Sequence, residues 1–162
     1  MKKFIAFFLL IFIGCSPVYF QPKNPGVDYR WAIESWQRRI QKESWSEPLI
    51  DNIMSSCLMI SKYEKELGDD HWKTYQEFLK DFSGDCEDIA IFMYGTLKRL
   101  GYPRDIRLRA IRMPLGDHTV LMVELPNGRW KMFNSIPMLG DFIDISVSRT
   151  LVEWDDRNIY YP

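Results

Sequence analysis

Histidine is scarce in this 162-residue chain: it occurs twice, as His71 and His118, so any chemistry that needs an imidazole has two candidates. Cysteine occurs three times, as Cys15, Cys57 and Cys86. Charge of one sign is also missing, since the formal net charge is only −1, and that gives no electrostatic case for a nucleic acid partner or an anionic membrane surface. The longest apolar run, from Phe4 to Ile13, is shorter than the ~20 residues that cross a bilayer. No internal repeat, low-complexity tract or EF-hand loop is present. What the chain does have is aromatic side chains, at 15%, and a length suited to one packed domain.

The N-terminus decides how the cysteines are read. Met1-Lys2-Lys3, the apolar run and Gly14-Cys15-Ser16 together have the layout of an export signal. Phe12-Ile13-Gly14-Cys15 resembles a bacterial lipobox. The resemblance implies that residues 1–14 are a lipoprotein signal peptide and that Cys15 is acylated, palmitate included, as the first mature residue. Ser16 implies the outer membrane, on the periplasmic side of the cell envelope; ordinary secretory cleavage is the alternative. Such a product is anchored to the membrane and does not span it. Losing Lys2 and Lys3 takes the formal charge from −1 to −3. Residues 15–27, with Pro17, Pro22, Pro25 and Gly26, read as a tether, and residues 28–162 as the domain.

Within the domain four helices are expected. Asp28 is a candidate N-cap for a helix carrying Ala32, Trp36 and Ile40. Ser46-Glu47-Pro48 opens a second, whose stripe of Ile50, Ile53, Met54, Cys57, Ile60 and Leu67 runs to Gly68. Thr74 and Glu77 form a capping-box pair before Phe78, Leu79 and Phe82. Ser83-Gly84-Asp85-Cys86-Glu87-Asp88 starts a fourth, with Ile89, Phe92, Met93, Leu97 and Leu100 as its stripe, closed by Gly101 and Pro103. The period then changes to alternation: Ile106, Leu108 and Ala110 oppose Arg107 and Arg109, Thr119 to Leu125 is a continuous apolar strand, and Asn127-Gly128 turns into Arg129 to Phe133. A further strand is expected within Ile143 to Thr150. Helices followed by an antiparallel sheet of three or more strands describe an α+β domain. Arg107, Arg109 and Arg112 read as the solvated face of an edge strand.

Cys86 stands where chemistry is expected. A cysteine attacks as thiolate, and a helix N-terminus and a neighbouring imidazolium lower its pKa. Asp85, Glu87 and Asp88 oppose that shift, so an imidazole is needed. His71 lies in a polar run and reads as a solvated loop residue, whereas His118 enters an apolar strand. A third group must orient the imidazole; Asn134 lies near the same end of the hairpin as His118, with Asp117 and Asp144 as alternatives. Cys57 falls on a core stripe, which suits a free buried thiol; a Cys57–Cys86 disulfide is the competing reading. For the oxyanion, the Cys86 backbone N–H is a first donor, and the Trp72 indole or the Gln76 amide a candidate second. The acidic residues complement the helix dipole.

Gly84-Asp85-Cys86-Glu87-Asp88-Ile89-Ala90-Ile91, Leu100-Gly101-Tyr102-Pro103, His118-Thr119-Val120-Leu121 and Trp130-Lys131-Met132-Phe133-Asn134, with Trp72 and Glu77 upstream, resemble the bacterial transglutaminase-like cysteine proteinases of the papain and transglutaminase group. The resemblance implies Cys86 as nucleophile, His118 as base and acid, and Asn134, where that family usually has aspartate, as orienter. It also implies that calcium can bind at Asp85 and Glu87, with Asp88 nearby; no other cofactor is expected. The function expected is a lipid-anchored thiol enzyme acting on peptide or amide bonds, with a protein or peptide as substrate and water or an amine as acceptor. A catalytically inactive binding or exclusion module on the same fold is the alternative.

Overall fold

A computed structural model describes residues 29–65, 71–113, 116–136 and 149–160. The predicted leader, the tether, Asp28, Gly68 and Asp144 therefore lie outside the described residues. Among the described residues no helix is long and apolar enough to cross a membrane.

Helix α1 (Tyr29–Glu43) buries Tyr29, Ala32, Ile33 and Trp36, the i, i+3, i+4, i+7 pattern of one apolar face. Helix α2 (Glu47–Ile60) starts at Ser46, whose side chain accepts from the Leu49 amide, and buries Leu49, Ile50, Ile53, Met54 and Cys57. The periodicity predicted a helix to Gly68, but α2 ends at Ile60. The Ser61 hydroxyl donates to the Cys57 carbonyl at 2.8 Å, and the next residues pair elsewhere. Strand β1 (Lys62–Tyr63) runs parallel to β2 (Ser83–Gly84), with Lys62 N–H on the Phe82 carbonyl and Glu64 N–H on the Gly84 carbonyl, both at 2.8 Å. A tertiary ladder thus overrides local helix preference.

Helix α3 (Tyr75–Asp81) has the predicted Thr74/Glu77 capping box and closes on Phe82 in the left-handed region. Helix α4 (Cys86–Arg99) ends as the Gly101 signal predicted. Gly101 N–H bonds the Lys98 carbonyl and Tyr102 N–H the Leu97 carbonyl, each at 3.0 Å, with Gly101 at φ 74°, which is a Schellman closure. The core lies where α4 meets the other helices and one sheet face. Phe78 and Phe92 stack at 4.7 Å and are fully buried, each worth about 1.5–3 kcal/mol of transfer free energy. A Cβ on Gly95 would fall 2.2 Å from the Tyr75 ring, so glycine is what lets that ring lie on α4.

The sheet comprises β3 (Ile106–Met113), β4 (Gly116–Glu124), β5 (Trp130–Asn134), β6 (Arg149–Trp154) and β7 (Ile159–Tyr160). Its order is β5-β4-β3-β6-β7, antiparallel throughout. Leu108, Leu121 and Val123 pack with the helices; Ile111, Val120 and Met122, of the other parity, form a smaller cluster. The domain is α+β, as predicted. The further strand begins at Arg149 and extends to Trp154, past the predicted span, whose residues 143–148 lie outside the described residues.

The edge-strand expectation is overturned as well. β3 is not an edge: β6 returns beside it. Arg107 and Arg109 are half-buried against Glu153, and the Arg107 guanidinium lies between the Trp130 ring at 4.7 Å and the Tyr160 ring at 4.3 Å. The alternation of β3 could not register a neighbour arriving from forty residues downstream. Only Arg112 matches the solvated reading, exposed and paired with Asp117.

Candidate active site

The segment leading into α4 is held by several independent contacts. Lys73 Nζ donates to the Ser83 carbonyl at 2.8 Å and to Asp81 at 3.0 Å. The Lys73 amide donates to Asp88 Oδ1 at 2.6 Å. Asp85 is the N-cap of α4 but makes no side-chain cap bond. Asp88, fully buried, instead accepts from the backbone of Lys73 and Asp85, and burial raises its carboxyl pKa. Its role is that of an acidic residue in a helix first turn.

Cys86 is thereby fixed as the first residue of α4. Its thiol donates to Glu87 Oε2 at 3.0 Å and receives the backbone N–H of Thr119, the residue after His118. The sulfur therefore lies against the β4 segment that carries the imidazole. Burial, and next the Glu87 hydrogen bond, push the thiol up to about 12, with the Thr119 amide opposing them. Cys57 is fully buried, and both cysteines are free thiols, so there is no Cys57–Cys86 bridge.

His118 is 4% exposed. Its Nε2 is 2.8 Å from Asn134 Oδ1, which also accepts the Ile136 amide at 3.0 Å. A backbone N–H can only donate, so the second bond identifies that atom as the oxygen of the side-chain amide. Nε2 must then carry the ring proton, which leaves the Nδ1 lone pair as the base. Strand register makes the pair possible: Asn134 is opposite Val120, two residues from His118 and of the same parity. Beside it, the Ser135 hydroxyl donates to the Thr119 carbonyl at 2.7 Å, clamping β5 to β4. Burial lowers the His118 pKa and the Asn134 bond partly opposes this, so the resting imidazole is neutral.

The structure thus pairs His118 with Asn134 across β4 and β5 and sets the Cys86 thiol against the amide of Thr119, the residue after His118. Asp117 is not the orienter, because its carboxylate is engaged by exposed Arg112. His71 is exposed, 3.9 Å from Glu77. Trp72 stacks on Trp154 at 5.3 Å, and Gln76 is exposed on α3. The sequence reading missed three neighbours of the sulfur: the Glu87 carboxylate as its hydrogen-bond acceptor, the Thr119 amide, and Tyr63. The Tyr63 phenol is pushed up by burial and then by the charges of Cys86, Asp85 and Glu87. Of these, only Glu87 had a visible signal, its adjacency to Cys86.

Solved structures share this arrangement of helices and sheet. Calcium-bound LapG of Legionella pneumophila matches with a TM-score of 0.61 at 22% identity, over 80% of this chain and 76% of that one. The fold is the transglutaminase-like fold of LapG. EGTA-treated LapG matches equally well, with a TM-score of 0.62 at 21% identity over 81% and 74% of the two chains. A Cytophaga hutchinsonii protein assigned as a cysteine protease matches with a TM-score of 0.51 at 12% identity, over 82% of this chain and 50% of that one. No protein-family model and no curated protein matches the sequence.

LapG has been solved both with calcium and after EGTA treatment. Among the described residues no three His, Cys, Asp or Glu side chains converge as a metal cluster. Asp85 and Glu87 supply two carboxylates, hard ligands of the kind calcium takes, and backbone carbonyls and water would have to complete the shell. Asp88 is engaged by the Lys73 and Asp85 amides.

Proposed function

We propose that this protein is a lipid-anchored thiol hydrolase of peptide or amide bonds, with Cys86 as nucleophile, His118 as base and acid, and Asn134 as the residue that orients the imidazole. The observation that carries the proposal is the combination of the His118–Asn134 bond with a thiol seated at a helix N-terminus against the Thr119 amide. Nδ1 of His118 takes the Sγ proton as sulfur bonds to the substrate carbonyl carbon. The resulting oxyanion is met by the Cys86 backbone N–H, one of the amides a helix start leaves unpaired. As the C–N bond breaks, the imidazolium returns its proton to the leaving amine. Water then attacks the thioester, with His118 again as base, and releases a carboxylic acid and the free thiol; an amine in place of water would give transamidation.

The decisive experiment is the alkylation rate of Cys86 against pH, read by mass spectrometry in the native protein and in His118→Ala. A thiol inert near neutral pH, or indifferent to His118, overturns the proposal. One observation favours a second reading, an inactive binding module: the thiol donates to Glu87 and its pKa is raised to about 12.

Two further parts of the proposal have their own tests. When calcium is bound, Asp85 and Glu87 hold it, and it neutralises the two charges that oppose thiolate formation. Calcium at a hundred times its Kd would add about 2.7 kcal/mol of stability, so Tm rises by several degrees over the EGTA-treated protein. An unchanged Tm, or a rise that persists in Asp85→Asn/Glu87→Gln, rejects this site. Anchoring through Cys15 at the outer membrane predicts incorporation of radiolabelled palmitate and recovery in the outer-membrane fraction, both lost in Cys15→Ala. Unlabelled soluble protein would contradict it.

A further inference from the structure

A cavity of about 560 Å³ opens between the β6–β7 turn and the segment that precedes α3. Its lining does not include Cys86. Its floor is the stacked pair Trp72–Trp154, with ring planes 25° apart. Trp72 is 44% exposed and Ile159 63%, so two of the large hydrophobics that this fold leaves in water meet in one concavity, where exposed apolar surface marks binding.

The charges on its rim are unequally satisfied. The Asp155 carboxylate accepts from the amides of Arg157 and Asn158, at 2.7 and 2.8 Å, and from the Tyr160 hydroxyl at 3.0 Å. Asp156 pairs with Lys98 at 3.1 Å. Among the described residues the Arg157 guanidinium has no ion pair and no hydrogen bond. An apolar floor beside an unpaired guanidinium is complementary to an aromatic or aliphatic side chain with a carboxylate next to it.

Position connects the cavity to the reaction. Trp72 precedes Lys73, whose amide is bonded to Asp88 in the first turn of the Cys86 helix. Trp154 is opposite Leu108 on β3, and β3 is the strand beside β4.

We propose that this cavity is a secondary subsite for the polypeptide substrate, taking an apolar side chain on the Trp72–Trp154 shelf and an adjacent carboxylate on Arg157. The assignment rests on the reading of the protein as a peptide hydrolase.

The test uses the full chain carrying Cys86→Ala, so that binding is measured without turnover. The probes are the capped tetrapeptides acetyl-Ala-Phe-Glu-Ala-amide and acetyl-Ala-Phe-Lys-Ala-amide, followed by NMR through the indole N–H signals of Trp72 and Trp154. The glutamate peptide is expected to shift both signals and to bind at least ten-fold more tightly than the lysine peptide. Arg157→Glu inverts that order, and Ile159→Asp weakens both peptides at an unchanged Tm. Equal affinities, an order unaltered by Arg157→Glu, or shifts confined to His118 overturn the assignment. A negative result falls on the subsite alone, whereas failure of the hydrolase reading shows in the alkylation rate of Cys86.

Discussion

Alkylation of Cys86 is expected to proceed well below pH 8.5, the ordinary range of a free thiol, and to slow by about a hundred-fold or more in His118→Ala. Burial and the Glu87 hydrogen bond push the thiol up to about 12; in the proposed mechanism, transfer of its proton to Nδ1 of His118 creates an ion pair instead, and such a pair titrates as a unit. The acid limb of the profile follows from the sign of the His118 shift. Burial lowers its pKa, so the base stays unprotonated until the pH falls below the usual 6.5, and reactivity is lost under that value. Glu87→Gln removes the negative charge of the acceptor that holds the thiol proton, a bond that is the largest cause of the raised pKa after burial. One unit of lowered pKa corresponds to a ten-fold larger thiolate fraction, so alkylation in that variant rises by about ten-fold. If instead both wild type and His118→Ala react only as the pH climbs toward 12, Cys86 is a buried thiol without a base, and the binding module is the correct reading.

Gly84→Ala should cost about 2–4 kcal/mol and displace Cys86. A Cβ at Gly84 would sit 2.3 Å from Asp88 Oδ2 and 2.5 Å from Asp88 Cβ. Asp88 cannot step aside cheaply, because it is fully buried and tied to the Lys73 amide. The β1–β2 ladder holds Gly84 from the other side, so strain is relieved by moving the start of α4, and Cys86 moves with it. Thermal unfolding should show a loss of roughly 10 °C, together with a changed alkylation rate. The double variant Gly84→Ala/Asp88→Ala distinguishes this contact from a general loss of stability. Because the second substitution removes the clashing atoms, the combined cost should fall short of the sum by more than 0.5 kcal/mol. Strict additivity would mean that the close approach is not what constrains the loop.

The features legible from the sequence were those whose chemistry is local. The Thr74/Glu77 capping box, the Ser46 cap, the Gly101 closure and the Asn127-Gly128 turn each depend on a few consecutive residues, and each is present. Cys86 at the start of α4 follows from the same punctuation. The α+β class, Cys86 at a helix start and His118 on an apolar strand could therefore be named without coordinates.

Tertiary structure decided whatever depended on distant neighbours. α2 ends at Ile60 because β1 finds β2 across the fold, a pairing that helical periodicity cannot register. Arg107 and Arg109 are internal ion pairs because β6 returns to β3. Between Asn134 and Asp117, the choice of imidazole partner was made by strand register and by Arg112. Trp72, read from the sequence as an oxyanion candidate, became part of an aromatic shelf only when Trp154 came to lie beneath it. Sequence spacing reports which residues share a face of one element; which element covers that face is set by packing among segments far apart in the chain.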